Sequence, residues 1–160
     1  LNVILGEGMS SRLFTKIRDE LGLAYSIHSS VDHFLDTGSV IISAGVETKN
    51  LPIAINAILE ELAQLKETIP ESELSKAKEF TKGRLLLRME VTHSVASWMG
   101  GQEILTNHIL TVDQVVSIID AITADELRQL AQELLLGEHL RLAVVGPVVD
   151  DEPLGELLKL

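Results

Sequence analysis

Gly6-Glu7-Gly8-Met9-Ser10-Ser11-Arg12-Leu13 runs on through Phe14 and Ile17 to Arg18-Asp19-Glu20-Leu21-Gly22-Leu23-Ala24-Tyr25-Ser26. Two periodicities meet in this stretch. Leu13, Phe14, Ile17 and Leu21 recur at helical spacing, Ser10 or Ser11 can cap the start, and Gly22 supplies a left-handed stop. From residue 24 the period becomes two. Tyr25, Ile27, Ser29, Val31 and His33 fall on one face, and Ala24, Ser26, His28, Ser30 and Asp32 on the other, which predicts a strand over 24–34. Asp36-Thr37-Gly38 carries turn chemistry, and Val40-Ile41-Ile42 continues through Ala44 to Val46. An antiparallel hairpin is therefore expected directly after a helix. The arginine at the end of that helix and the tyrosine seven residues later at the strand start can project into one cleft.

Working outward, Leu1-Asn2-Val3-Ile4-Leu5-Gly6 reads as the apolar last turn of a helix closed by glycine. Residues 50–136 read as helical. Asn50 can cap a helix with Pro52 in its first turn and Ile55, Ile58, Leu59, Leu62 and Leu65 as its buried stripe. Pro70 opens a second, carried by Leu74, Ala77, the Lys78 stem, Thr81 and Leu85, and Gly100-Gly101 is expected to interrupt a third around Val95, Trp98 and Ile104. Asn107-His108 marks a turn. Thr111 with Gln114, and Thr123 with Glu126, have capping-box spacing, and Gly137 ends the last helix. His139 to Val145 alternate and stop at Gly146-Pro147, which predicts a third strand, and Asp150-Asp151-Glu152-Pro153 reads as a polar exit loop. The expectation is an α+β unit over 1–149, a mostly antiparallel sheet packed by a block of helices, with 150–160 as a tail. Three strands make a thin sheet for so many apolar helices, so a further strand is expected upstream, with the chain truncated at its N-terminus.

Composition narrows the function. The chain has 160 residues, 46% of them hydrophobic, which suffices for one real core. Aromatics make up only 3%, so Leu, Ile, Val and Ala must build that core and the single tyrosine, Tyr25, stands out. A formal net charge of -11 disfavours nucleic acid and is compatible with basic peptide partners, although plain solubility is the stronger account of an acidic surface. With no cysteine, disulfides and thiolate zinc sites are excluded. The apolar runs Leu85-Leu86-Leu87 and Leu134-Leu135-Leu136 are far shorter than the ~20 residues of a membrane span.

Most motifs for chemistry are missing. His28, His33, His93, His108 and His139 never form H-x-x-E-H or H-E-x-x-H, so no metal site is readable in this chain. Ser10, Ser11, Ser26, Ser29 and Ser30 lack a nucleophile elbow. Gly6-Glu7-Gly8 before a helix lacks the Walker lysine, and its glutamate would repel phosphate. The acidic pairs Glu60-Glu61 and Glu71 with Glu73 suit solvated faces or a first helical turn. Arg18 and Tyr25 have two readings. Arg18 can complement a helix dipole and Tyr25 can be a tethered core ring. Alternatively, the guanidinium holds a substrate carbonyl while the phenol donates a hydrogen bond to the oxyanion of a tetrahedral intermediate. Spacing alone favours the first.

The chain resembles the C-terminal, zinc-free half of pitrilysin or insulinase-type zinc metallopeptidases, in the branch that includes mitochondrial processing peptidase and its bacterial homologues. The residues that carry the resemblance are Gly6-Glu7-Gly8-Met9-Ser10-Ser11-Arg12-Leu13, Arg18, Gly22-Leu23-Ala24-Tyr25-Ser26, Pro70-Glu71-Ser72-Glu73-Leu74-Ser75-Lys76-Ala77-Lys78 and Leu140 to Pro147. The resemblance implies one of two paired units around a chamber. It places zinc and the H-x-x-E-H motif in an N-terminal partner half, and peptide as the substrate. It also implies Arg18 and Tyr25 as the substrate-binding pair, with Tyr25 in a catalytic role and Gly6 and Gly8 in the adjoining loop. Glu7 departs from a family glycine and bears on how closely that loop meets substrate. The partner half lies in the same polypeptide or in another subunit of a homo- or heterodimer. The competing expectations are a noncatalytic scaffold subunit of the same fold and a stand-alone α+β ligand-binding module.

Overall fold

The computed structural model describes residues 1–147 and 152–160. It is an α+β unit in which one antiparallel hairpin packs against helices. α1 (Asn2–Gly6) precedes a π-helix, Phe14–Glu20, and then come β1 (Ala24–His33) and β2 (Gly38–Val46). A 3₁₀ turn, Thr48–Asn50, leads into α2 (Leu51–Glu67), followed by α3 (Glu71–Met89), α4 (Thr92–Thr106), α5 (Val112–Ala121) and α6 (Ala124–Leu134). A second 3₁₀ turn, Gly137–His139, and α7 (Glu152–Leu157) complete the described elements.

Leu5, Leu13, Ile17 and Leu65 are the largest fully buried side chains. They join α1, the π-helix and α2 in one core with Ile27 of β1, Leu74 of α3, and Leu127 and Ala131 of α6. Burying each of these Leu or Ile side chains stabilises the fold by roughly 1.5–3 kcal/mol. The apolar stripe of α2 behaves as its spacing predicts, with Ile55, Leu59, Leu62 and Leu65 buried and Ile58 partly so. Both capping boxes form. Thr111 accepts from the Gln114 amide at 3.2 Å and Thr123 from the Glu126 amide at 3.2 Å, while the Gln114 and Glu126 side chains accept from the cap amides in return.

The contact that seats α1 on the sheet is unusually close. A Cβ placed on Gly6 would lie 2.5 Å from Ser29 Oγ and 2.6 Å from the Ser29 backbone nitrogen. Only a hydrogen fits there. Ser29 is itself buried, and its hydroxyl donates to Asn2 Oδ1 at 2.6 Å, so strand and helix are joined by packing and by a polar bond.

Several expectations change. The alternating segment 139–145 is not a strand: its start is the 3₁₀ turn, and the described sheet contains only β1 and β2. A strand needs a neighbour for its ladder, and here the Arg141 guanidinium instead takes the carbonyls of Glu138 at 2.8 Å and Leu140 at 2.7 Å. Gly100-Gly101 does not break α4, which runs through both and ends at Asn107 in the left-handed conformation (φ 50°). Two helical glycines cost only about 1 kcal/mol each relative to alanine. Neither Ser11 nor Asn50 caps a helix with its side chain. The Ser11 hydroxyl donates to the Gly8 carbonyl at 2.7 Å, tightening the turn before the π-helix. Of the expected exit loop, residues 150 and 151, like the expected boundary at 149, lie outside the described residues. Glu152–Leu157 is helical, and Leu154 is buried in the core with Leu157, Leu158 and Leu160 packed against it.

Arg12, almost buried, clips the entry of the π-helix to the α2–α3 junction. Its Nε lies 2.8 Å from Glu73 Oε2 and its Nη2 donates to the Thr68 carbonyl at 2.8 Å. Glu61 of α2 is also buried, and desolvation raises its pKa, a rise that the charges of Arg12 and Lys16 partly offset. A carboxyl that holds its proton more tightly when folded loses stability as pH rises through the ordinary carboxylate range to its raised folded value. Glu61→Gln is therefore expected to raise the urea midpoint at pH 7, with the gain shrinking below the ordinary carboxylate range. Gly6→Ala is expected to destabilise by about 1–3 kcal/mol in urea denaturation because the strand backbone must move; no change would show that α1 relaxes freely.

Candidate functional site

The π-helix sets the position of Arg18. Its bonds span five residues, as in Leu21 N–H to the Lys16 carbonyl at 3.1 Å, so each turn is wider than in an α-helix. Leu13 and Ile17 stay fully buried, whereas Leu21, which α-helical spacing would place on the same stripe, is rotated out and exposed. Gly22 then reverses the chain at φ 61°, as its sequence position predicts, and the Leu23 N–H reaches back to the Ile17 carbonyl at 2.9 Å. Arg18 is exposed in the last turn, with its guanidinium carbon 4.7 Å from the centroid of the Phe14 ring. Among the described residues it makes no ion pair. Stacking fixes the stem without consuming the charge.

Tyr25 is placed by a different irregularity. In the hairpin Ala24 pairs with Val46 and Ser26 with Gly45, so one extra residue, Tyr25, is inserted on β1 with no partner on β2. This is a β-bulge, a device that re-aims a side chain. It corrects the expected faces. Beyond the bulge Ile27 and Ser29 point inward as alternation requires, but before it Ala24 is buried and Tyr25 is turned out, 88% exposed. Tyr25 does not share a face with Ile27, and it is not a core ring.

The hairpin mouth forms an open groove of about 520 Å³. Residues 22–25 and 45–47 line it, together with Asn50. Tyr25 lines it and Arg18 does not. Glu47 is the one ionisable lining group besides the Tyr25 phenol. Its carboxylate lies 2.8 Å from Lys49 Nζ, and that hydrogen bond lowers the Glu47 pKa and raises that of Lys49. Glu47 is marked by no motif and Asn50 only by its capping propensity; the one shared sequence signal is that both follow the end of β2.

The glycine segment has two different members. Gly6 is buried against Ser29, whereas Gly8 is exposed at φ 96° with the Phe80 ring 3.8 Å from where its Cβ would be. Between them Glu7 is held from both sides. It accepts from Asn2 Nδ2 at 3.2 Å and forms an ion pair with Arg84 of α3. Arg84 also lies over the Phe80 ring, its guanidinium carbon 5.6 Å from the centroid. The glutamate thus ties the loop to α1 and α3. Among the described residues no group of three His, Asp or Glu side chains is arranged to hold a metal ion. No described helix is long and apolar enough to cross a membrane.

Comparison with known proteins agrees with this architecture. The chain is 36% identical over 148 residues to the uncharacterized zinc protease YmxG of Bacillus subtilis, covering 92% of this chain and 36% of that protein. It is 32% identical over 161 residues to an uncharacterized zinc protease of Mycobacterium leprae, covering 100% of this chain and 36% of the relative. The chain therefore spans about a third of the length of these relatives. A conserved protein from Enterococcus faecalis superposes with a TM-score of 0.75 at 26% identity, over 82% of this chain and 31% of that one. A peptidase M16 inactive domain from Pseudomonas fluorescens shares the fold, with a TM-score of 0.75 at 16% identity over 83% of this chain and 32% of that one. Residues 1–80, which hold α1, the π-helix, the hairpin and the clip from Arg12 to Glu73, match the family model for the peptidase M16 inactive domain, and the chain belongs to that family.

Proposed function

We propose that this chain is the substrate-binding half of a zinc-dependent endopeptidase that cleaves peptides or processes protein precursors. In this reading it supplies Arg18 and Tyr25 to a site whose metal lies in an N-terminal partner half. The observation that carries the reading is the bulge at Tyr25. A bulge that breaks ladder pairing and presents a lone, untethered phenol at the mouth of a groove has no packing purpose, since the ring buries almost nothing. It suits a side chain that must reach a ligand. Arg18, exposed and stacked on Phe14, keeps its five N–H donors available to a substrate carbonyl.

The division of labour follows from the donor sets. Zinc in the partner half would activate water and polarise the scissile carbonyl. On this side the Tyr25 hydroxyl donates a hydrogen bond to the developing oxyanion, and Arg18 orients the neighbouring peptide carbonyl. Gly8 leaves the loop backbone open toward the peptide, while Gly6 and the contacts of Glu7 hold that loop against α1 and α3. Alone, the chain is expected to be inactive, because among its described residues no side chains are grouped to hold the metal that would activate water.

The test is peptide hydrolysis by the full-length protein containing this chain, together with its zinc-bearing half where that is a separate subunit. Tyr25→Phe removes one hydroxyl from an exposed ring and is expected to lower kcat/KM about 100-fold with an unchanged urea midpoint, the loss falling mainly on kcat. Arg18→Ala is expected to lose at least about tenfold, with KM rising. Unchanged turnover in both would sink the assignment of Arg18 and Tyr25, and no turnover by the unsubstituted protein would leave a noncatalytic scaffold.

A further inference from the structure

The helix that carries Arg18 begins without a capping side chain, because its N-cap residue is Leu13. Its winding is rare as well: π-turns occur mostly singly, and this helix keeps to them over seven residues. Its start therefore depends on a hold from outside. We propose that Arg12 is a positioning residue for Arg18, locking the entry of the π-helix so that the second guanidinium meets substrate in one orientation. This rests on the reading of Arg18 as a substrate contact, and it adds the residue that sets the geometry of that contact.

Three observations converge on it. First, the Arg12 fork is fixed at two points. Nε lies 2.8 Å from Glu73 Oε2 and Nη2 donates to the Thr68 carbonyl at 2.8 Å, so the guanidinium plane cannot pivot about a single bond. Thr68 closes α2 and Glu73 stands in the first turn of α3, so two helices share the grip. Second, the grip is shielded. The Arg12 side chain is only 10% exposed, which sets this pair apart from a solvent-screened surface ion pair. Third, the path from Arg12 to Arg18 is short and stiff. The Phe14 ring on which Arg18 stacks belongs to the first residue of the π-helix, two positions after Arg12, so the platform turns with the entry. Leu13, next to Arg12, and Ile17, next to Arg18, are both fully buried. Backbone bonds cover the interval between them, from Thr15 N–H to the Ser11 carbonyl at 3.0 Å and from Leu21 N–H to the Lys16 carbonyl at 3.1 Å. A close-packed segment of this kind transmits a displacement of its entry rather than absorbing it. Releasing the clip would leave Arg18 charged and exposed but aimed elsewhere.

The test is a double-mutant cycle in peptide hydrolysis by the full-length protein with its zinc-bearing half, each variant first shown by its urea midpoint to be folded under assay conditions. Arg12→Met removes the fork and keeps an apolar stem. It is expected to lower kcat/KM about fivefold, with KM rising as for Arg18→Ala rather than kcat falling as for Tyr25→Phe. In an Arg18→Ala background the same substitution should leave kcat/KM nearly unchanged, because the group it misplaces is already gone. Glu73→Ala releases the other side of the clip from a half-exposed position, and it serves in the cycle if Arg12→Met does not fold. It is expected to cost about threefold by the same rise in KM, again only where Arg18 is present. An equal loss in both backgrounds, a loss confined to kcat, or unchanged kcat/KM in the folded variants overturns the proposal. Each of those results leaves the peptidase reading intact. A parent protein that cleaves no peptide, or an Arg18→Ala variant as active as its parent, removes the reading of Arg18 and this role with it.

Discussion

The contact between Gly6 and Ser29 is the constraint on which the rest is hung. It lets α1 lie directly on β1, and Gly6 also ends α1 ahead of the loop that leads to the π-helix. A strand backbone cannot yield to a Cβ as the tip of a flexible side chain can, so the position admits one residue type. Around this contact the chain places a polar bond, Ser29 to Asn2, and a further one from Asn2 to Glu7, which passes to Arg84 on α3. Three elements, α1, β1 and α3, are thereby held together at the middle of β1. Tyr25 lies four residues before Ser29, near the start of β1, where the bulge breaks the ladder and the side chain is open to solvent.

The middle and the start of the strand follow different rules. At Ser29 every polar atom is paired and every space is filled, as an interior requires. At Tyr25 pairing is broken and the ring stands in solvent. Polar residues of the surrounding core serve to position rather than to react: Arg12 is spent on Glu73 and the Thr68 carbonyl, while Arg18, six residues on, keeps its charge unpaired among the described residues. That contrast separates two arginines of one short segment, one used inside the fold and one left open to solvent.

Much of this was legible in the sequence. The hairpin, the left-handed Gly22, the buried stripe of α2 and both capping boxes follow from local chemistry that neighbours do not override. The irregularities were not legible. A π-turn and an α-turn have the same residues in the same order, and only the exposure of Leu21 betrays which formed. A bulge is a property of two strands, so alternation along β1 alone assigned Tyr25 to the wrong face; the small residues Ser26 and Gly45 opposite each other are its one faint trace. The third strand failed for a related reason, since 139–145 alternates well but strandness depends on a neighbour. Glu47 and Asn50 stayed hidden because nothing in their types distinguishes a groove wall from an ordinary loop, and Asn50 was read through its capping propensity.

The π-helix and the bulge have a joint consequence for transfer of the site. Each inserts one residue's worth of slack, one into the winding before Gly22 and one into the ladder after it, so the seven-residue step from Arg18 to Tyr25 is not a property of regular helix followed by regular strand. Copying the two residues at that spacing onto a scaffold of ideal elements would rotate the guanidinium around its helix and turn the phenol through the sheet. The portable unit is the pair together with both defects, which makes deletion of a single residue on either side of Gly22 a larger perturbation than most substitutions within it.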